Sequence, residues 1–156
     1  VISSSEVRRL IEAGAVSLAA RLLERPYALQ GQVIPGRGVG SKKTVPTLNL
    51  ATGAEVLPAT GVYITRTREL GGSRSWPSVA NVGHRPTFGG GALTVETFLL
   101  SPLEGGPPEA IRLEFLRRLR EERHFPSVEA LKAQILRDAA RARAYFRRLG
   151  AWVGRA

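Results

Sequence analysis

Between Tyr27 and about Phe115 the apolar residues come in short β-branched and aromatic runs, cut apart by glycine- and proline-rich turns. This rhythm limits the fold more than any other feature of the chain. Leu29–Ile34 alternates around Gly31, and Gly61–Thr67, Ser78–Val82, Thr94–Leu100 and Ala110–Leu116 read as strands. Turns fall at Gly71-Gly72-Ser73, Gly89-Gly90-Gly91 and Gly105-Gly106-Pro107-Pro108. Strands do not alternate with helices here, so a doubly wound parallel sheet is disfavoured. The pattern predicts a mainly β domain, an antiparallel barrel or sandwich.

Helical periodicity is confined to the two ends. Near the start, Ser3 and Glu6 have the spacing of a capping box, and Val7, Leu10 and Ile11 form one apolar face. Ala13-Gly14 breaks that helix, and a second runs from Val16 to Leu23 before Arg25-Pro26. Near the other end, Ser127 caps a long helix over 127–149, with Val128, Leu131, Ile135, Ala139, Ala142, Phe146 and Leu149 on one face. Three segments follow: helical 1–26, a domain over 27–150, and a loose tail at 151–156.

Composition narrows the chemistry. The absence of cysteine excludes disulfides, thiolate metal sites and thiol catalysis, and it fits a reducing, cytoplasmic setting. No apolar run approaches the roughly 20 residues needed to span a bilayer. The net charge of +10 is concentrated in residues 111–156, with twelve basic and five acidic groups. Such a field attracts phosphates, on nucleic acid or on a nucleotide, but a solvated helix face is the stronger reading of the same residues.

Three stretches carry chemistry. In the first, Gly36, Gly38 and Gly40 allow a close backbone approach to an anion, and Arg37, Lys42 and Lys43 add positive charge. Thr47 and Asn49 follow on one side of an extended segment, two oxygens suited to Mg²⁺ beside phosphate. This is neither a P-loop nor a GxGxxG motif, and on composition alone a flexible hairpin loop is the favoured reading. In the second, Glu96 stands mid-strand and shares a face with Thr94 and Phe98, where a carboxylate is ordinarily solvated or else lines a site as a general base or a metal-shell group. In the third, Asn81 to Gly91 reads as a flap with glycine hinges. His84 within it has no carboxylate at a useful spacing to form a dyad.

Together these stretches resemble the riboflavin kinase module of bacterial bifunctional riboflavin kinase/FAD synthetases. Four blocks over roughly 27–149 carry the resemblance: Gly31–Asn49, whose Pro46-Thr47-Leu48-Asn49 is similar to the family's Pro-Thr-Ala-Asn; Pro58–Tyr63; Ala80–Phe88 followed by Val95-Glu96-Thr97; and Leu119–Ser127 followed by Leu131, Gln134, Ile135 and Asp138. Ile2–Arg8 resembles a segment near the end of the preceding adenylyltransferase module, so the chain looks like the C-terminal piece of a longer protein.

The resemblance implies a compact antiparallel β-barrel of Greek-key type, with a long C-terminal helix and short N-terminal helices. It implies transfer of the ATP γ-phosphate to the riboflavin 5′-hydroxyl, giving FMN and ADP. The nucleotide phosphates fall to Gly36, Arg37, Gly38, Gly40, Lys42, Lys43, Thr47 and Asn49. Mg²⁺ falls to Thr47 and Asn49, the proton-accepting role to Glu96, and the flavin border to Arg120, Phe125 and the loop around them. Gly83–Gly91 is the flap. Ser41 and Thr44 stand where the family usually has a basic residue and a glycine. Two alternatives remain beside the kinase: a basic barrel that binds nucleic acid without catalysis, and an impaired module that only binds flavin.

Overall fold

The computed structural model describes residues 3–34, 46–85 and 92–153. Six described strands close into an antiparallel barrel: β1 (Tyr27–Ile34), β2 (Thr47–Ala51), β3 (Gly61–Glu69), β4 (Ser75–Arg85), β5 (Ala92–Leu99) and β6 (Ala110–Arg120). Their order around the barrel is β1-β2-β5-β4-β3-β6. β3, β4 and β5 form a meander, and β2 crosses over to lie beside β5, which is the Greek-key connection. β1 and β2 meet so closely that a Cβ on Gly31 would sit 1.8 Å from the Ala51 carbonyl oxygen, so no larger residue fits there.

Alternate residues of each strand fill the barrel. Leu29, Leu48, Leu50, Tyr63, Val82, Val95, Leu99, Ile111, Leu113 and Phe115 form one buried cluster, with Tyr63 and Phe115 edge to face at 5.2 Å. The interior also holds hydroxyls. Thr65 Oγ1 and Thr67 Oγ1 each lie 2.8 Å from Ser78 Oγ, which lets the three polar groups satisfy one another away from water.

Two helical layers clad the outside. α1 (Ser4–Glu12) opens with Ser3 Oγ accepting from the Glu6 N–H, and α2 (Val16–Leu23) follows. Val7, Ile11 and Ala19 are buried with Leu22, Leu23, Tyr27 and Val56, and Val16 reaches the barrel cluster. The Ser17 hydroxyl ties this layer to the barrel, donating to the Leu116 carbonyl at 3.1 Å. On another side, α3 (Val128–Val153) starts where Ser127 Oγ accepts from the Ala130 N–H. Ala142 is fully buried against Val62, Ile64 and Val79, because its small side chain lets the helix lie close to the sheet.

Three expectations need correction. α3 does not stop at 149 but runs through Gly150 to Val153, since one glycine late in a long helix costs only about 1 kcal/mol. β4 continues to Arg85, so Asn81–Arg85 are strand residues and not flap. β6 extends to Arg120, which places Leu119 and Arg120 on a strand rather than in a loop.

Candidate functional site

Strand parity decides which residues face outward. Leu48, Leu50 and Val95 turn into the barrel, so Thr47, Asn49 and Glu96 lie on its outer face. Register then lines them up. Asn49 pairs with Glu96, Glu96 with Asn81, Asn81 with Val62, and Val62 with Arg120. One cross-strand row therefore runs from an amide through a carboxylate and a second amide to an arginine. Neighbours in such a row stand about 5 Å apart. Thr47 belongs to the next row, opposite Phe98, and is exposed.

A cavity of about 300 Å³ opens over this row, between the barrel and the first half of α3. Val62, Val79, Phe98, Leu100, Phe125, Leu131 and Ile135 give it apolar walls, and Asn81, Glu96, Arg120, Glu122, Arg123 and Asp138 supply its polar groups. An apolar slot with a few convergent polar groups is the usual make-up of a small-molecule site. Asn81 Oδ1 is buried and has no hydrogen-bond partner, an acceptor that a bound donor would satisfy.

At the far end, Arg120 is gripped by Asp138. Nε donates to both carboxylate oxygens at 3.1 and 3.0 Å, and Nη2 to Oδ2 at 2.9 Å. Gln134 Nε2 donates to Asp138 Oδ1 at 2.9 Å, and Arg137 donates to the Gln134 oxygen at 2.8 Å. Asp138 is only 2% exposed, so this pair orients Arg120 rigidly. The Arg120 and Arg123 guanidinium carbons lie 5.6 and 6.0 Å from the Phe125 ring centroid.

The structure brings Glu96, Arg120 and Phe125 to one cavity, with Asn49 beside Glu96. Gly36, Arg37, Gly38, Gly40, Lys42, Lys43, Ser41 and Thr44 lie outside the described residues, as do residues 86–91 of the expected flap. His84 does meet a carboxylate, contrary to expectation. Glu122 Oε2 lies 4.0 Å from its Nδ1, supplied by a segment 38 residues away in the chain. Sequence reasoning placed Glu122 and Arg123 only within the loop bordering the flavin, and did not assign Asn81 or Asp138 to the site. The signal for Asn81 was its parity on a strand, and it needed the register to become legible.

Among the described residues no three His, Cys, Asp or Glu side chains group as a metal site. The donors near Glu96 are all oxygens: the Thr47 hydroxyl and the Asn49 and Asn81 amides. That set fits a hard cation taking most of its ligands from phosphate and water. Among the described residues no helix is long and apolar enough to cross a membrane.

The riboflavin kinase family model (Flavokinase) matches residues 23–146. The bifunctional riboflavin kinase/FMN adenylyltransferase of Pseudomonas fluorescens is 39% identical over 144 residues, 92% of this chain and 46% of its own length. Its counterpart in Escherichia coli K12 is 36% identical, covering 93% and 46%, and that of Bacillus subtilis 34% identical, covering 95% and 48%. The chain thus spans about half the length of the curated relatives it matches. Among solved structures, riboflavin kinase from Trypanosoma brucei aligns over 78% of this chain with a TM-score of 0.52 and 22% identity, a likeness of fold. A Streptococcus pneumoniae protein described as a macrolide-efflux protein aligns over 91% of this chain and 46% of its own, with a TM-score of 0.81 and 29% identity.

Proposed function

The chain belongs to the riboflavin kinase family, and on that footing we propose that it transfers the γ-phosphoryl group of ATP to the riboflavin 5′-hydroxyl, giving FMN and ADP. The observation that carries this reading is the placement of Glu96 on the outer face, between two amides and at the wall of an apolar cavity. Phosphoryl transfer needs positioning, charge neutralisation and one group to take the hydroxyl proton. Glu96 takes that proton. The apolar walls hold the flat flavin ring, and Arg120, fixed by Asp138, and Phe125 border it. Asn49 and Asn81 flank Glu96 and orient the hydroxyl-bearing chain toward it.

Thr47 and Asn49 would hold Mg²⁺ together with the nucleotide phosphates. When bound, the ion supplies charge neutralisation on the phosphate oxygens. The nucleotide role of Gly36, Arg37, Gly38, Gly40, Lys42 and Lys43 is part of the same proposal, as are a cytoplasmic setting and an adenylyltransferase module preceding this one in a longer protein. Nucleic-acid binding is disfavoured because Glu96 and Glu122 both line the cavity and would repel a phosphodiester chain.

The test is chromatographic. The protein is incubated with riboflavin, ATP and Mg²⁺, and riboflavin, FMN and FAD are resolved, with Glu96→Gln run beside it. FMN without FAD, lost in the variant, is the expected result. FMN made equally well by the variant removes Glu96 from the proton-accepting role. Flavin binding without turnover indicates the impaired module, and neither binding nor turnover ends the kinase reading.

A further inference from the structure

Glu122 stands on the segment between β6 and α3, lines the cavity, and reaches back to the end of β4. Its Oε1 accepts from the His84 backbone N–H at 3.3 Å. The approach depends on Gly83, where a Cβ would lie 2.5 Å from that same oxygen. β4 is itself steadied there, because Thr94 Oγ1 donates to the Gly83 carbonyl at 3.3 Å. The segment that carries Glu122 also carries Arg123 and Phe125, two walls of the cavity. It is anchored at its start by the Arg120–Asp138 pair and at its end by the Ser127 cap. Between these anchors, the hydrogen bond that Glu122 accepts from the His84 N–H ties it to the barrel wall.

We propose that Glu122 is a positioning residue, clasping the 121–125 segment to β4 through the His84 N–H so that Arg123 and Phe125 stand as the flavin-side wall. The proposal rests on the kinase reading, and it predicts an effect on flavin affinity rather than on the phosphoryl step. The backbone N–H asks only for an acceptor oxygen, so a glutamine serves where an alanine fails. The exposed His84 ring is secondary, at 4.0 Å and 58% side-chain exposure.

The experiment is a set of initial-rate measurements with riboflavin varied at saturating ATP and Mg²⁺. Glu122→Ala is expected to raise the riboflavin KM about tenfold while kcat changes by less than about twofold, the loss of one charge-assisted hydrogen bond. Glu122→Gln keeps the acceptor and stays within about threefold of the parent. Gly83→Ala pushes the Glu122 side chain off its perch and reproduces the Glu122→Ala value, and the double variant shows no further rise. A parent-like KM in Glu122→Ala overturns the clasp, as does a fall in kcat alone or a double variant whose effects multiply. Riboflavin binding, followed by quenching of flavin fluorescence, is measured on the same proteins. Binding without turnover overturns the kinase reading, while a weakened Glu122→Ala still supports the clasp. No binding by the parent overturns both.

Discussion

The two faces of the barrel wall are built from the same strands and behave as different materials. Facing inward, Leu48, Leu50, Val95 and Val82 interlock in a buried cluster. Facing outward from those strands, Asn49, Glu96 and Asn81 form a polar row beneath a cavity. The inner face is closed and makes stability, because close-packed apolar groups gain dispersion and lose water. The outer face leaves about 300 Å³ unfilled under α3, the volume that the proposed kinase reading gives to the flavin. On that reading function sits where the packing is incomplete, and a rigid interior is what lets it be incomplete without collapsing.

That division is open to test. Glu96→Gln probes the outer face and carries the largest expected effect: a kcat fall of about 10²–10⁴-fold with Tm unchanged. A matching fall in Tm would mean that the two faces are not separable. Phe115→Ala probes the inner face. It is expected to cost about 4 kcal/mol by opening a cavity, seen as a Tm drop on the order of 10 °C, with the riboflavin KM of the surviving folded protein unchanged. Asp138→Ala crosses the boundary, since it strips Arg120 of a nearly buried partner. A loss of about 3 kcal/mol is expected, together with weaker flavin binding measured by fluorescence, so that one residue moves both readouts.

The smallest effect lies far from the site. Arg74, hydrogen-bonded to Glu69 at 3.0 and 2.7 Å, holds that carboxyl below its ordinary value of 4.5. The stabilisation is therefore complete above pH 4.5 and is lost as pH falls through the lowered value. Denaturant unfolding across the acid range should show a shallow loss that Glu69→Gln removes. A steep loss would mean that surface pairs matter more here than exposed ion pairs usually do.

Much of the fold was legible because local chemistry wrote it. β-Branched runs marked strands, Ser127 marked the start of α3, and the alternation around Glu96 gave its face. What was not legible depended on distance in the chain. No local pattern shows that Asn49 and Asn81 flank Glu96, since register is settled by the core on the opposite face. His84 looked isolated because its carboxylate, Glu122, arrives from the segment after β6. Arg120 read as a flavin contact, but its partner Asp138 lies about three turns into α3 and is chosen only when that helix docks. β4 ran past its expected end because pairing with β5 carries it to Arg85, whatever the glycine and histidine there prefer.

The row through Asn49, Glu96, Asn81, Val62 and Arg120 has one more consequence. A strand slipped by a single residue exchanges its two faces. A misaligned β5 would turn Glu96 into the hydrocarbon interior and push Val95 into water, at a cost of several kcal/mol for the carboxylate alone. The barrel cannot close with that error and survive. Assembly of the interior therefore proofreads the exterior: a chain that has folded has already checked the alignment of its own chemistry.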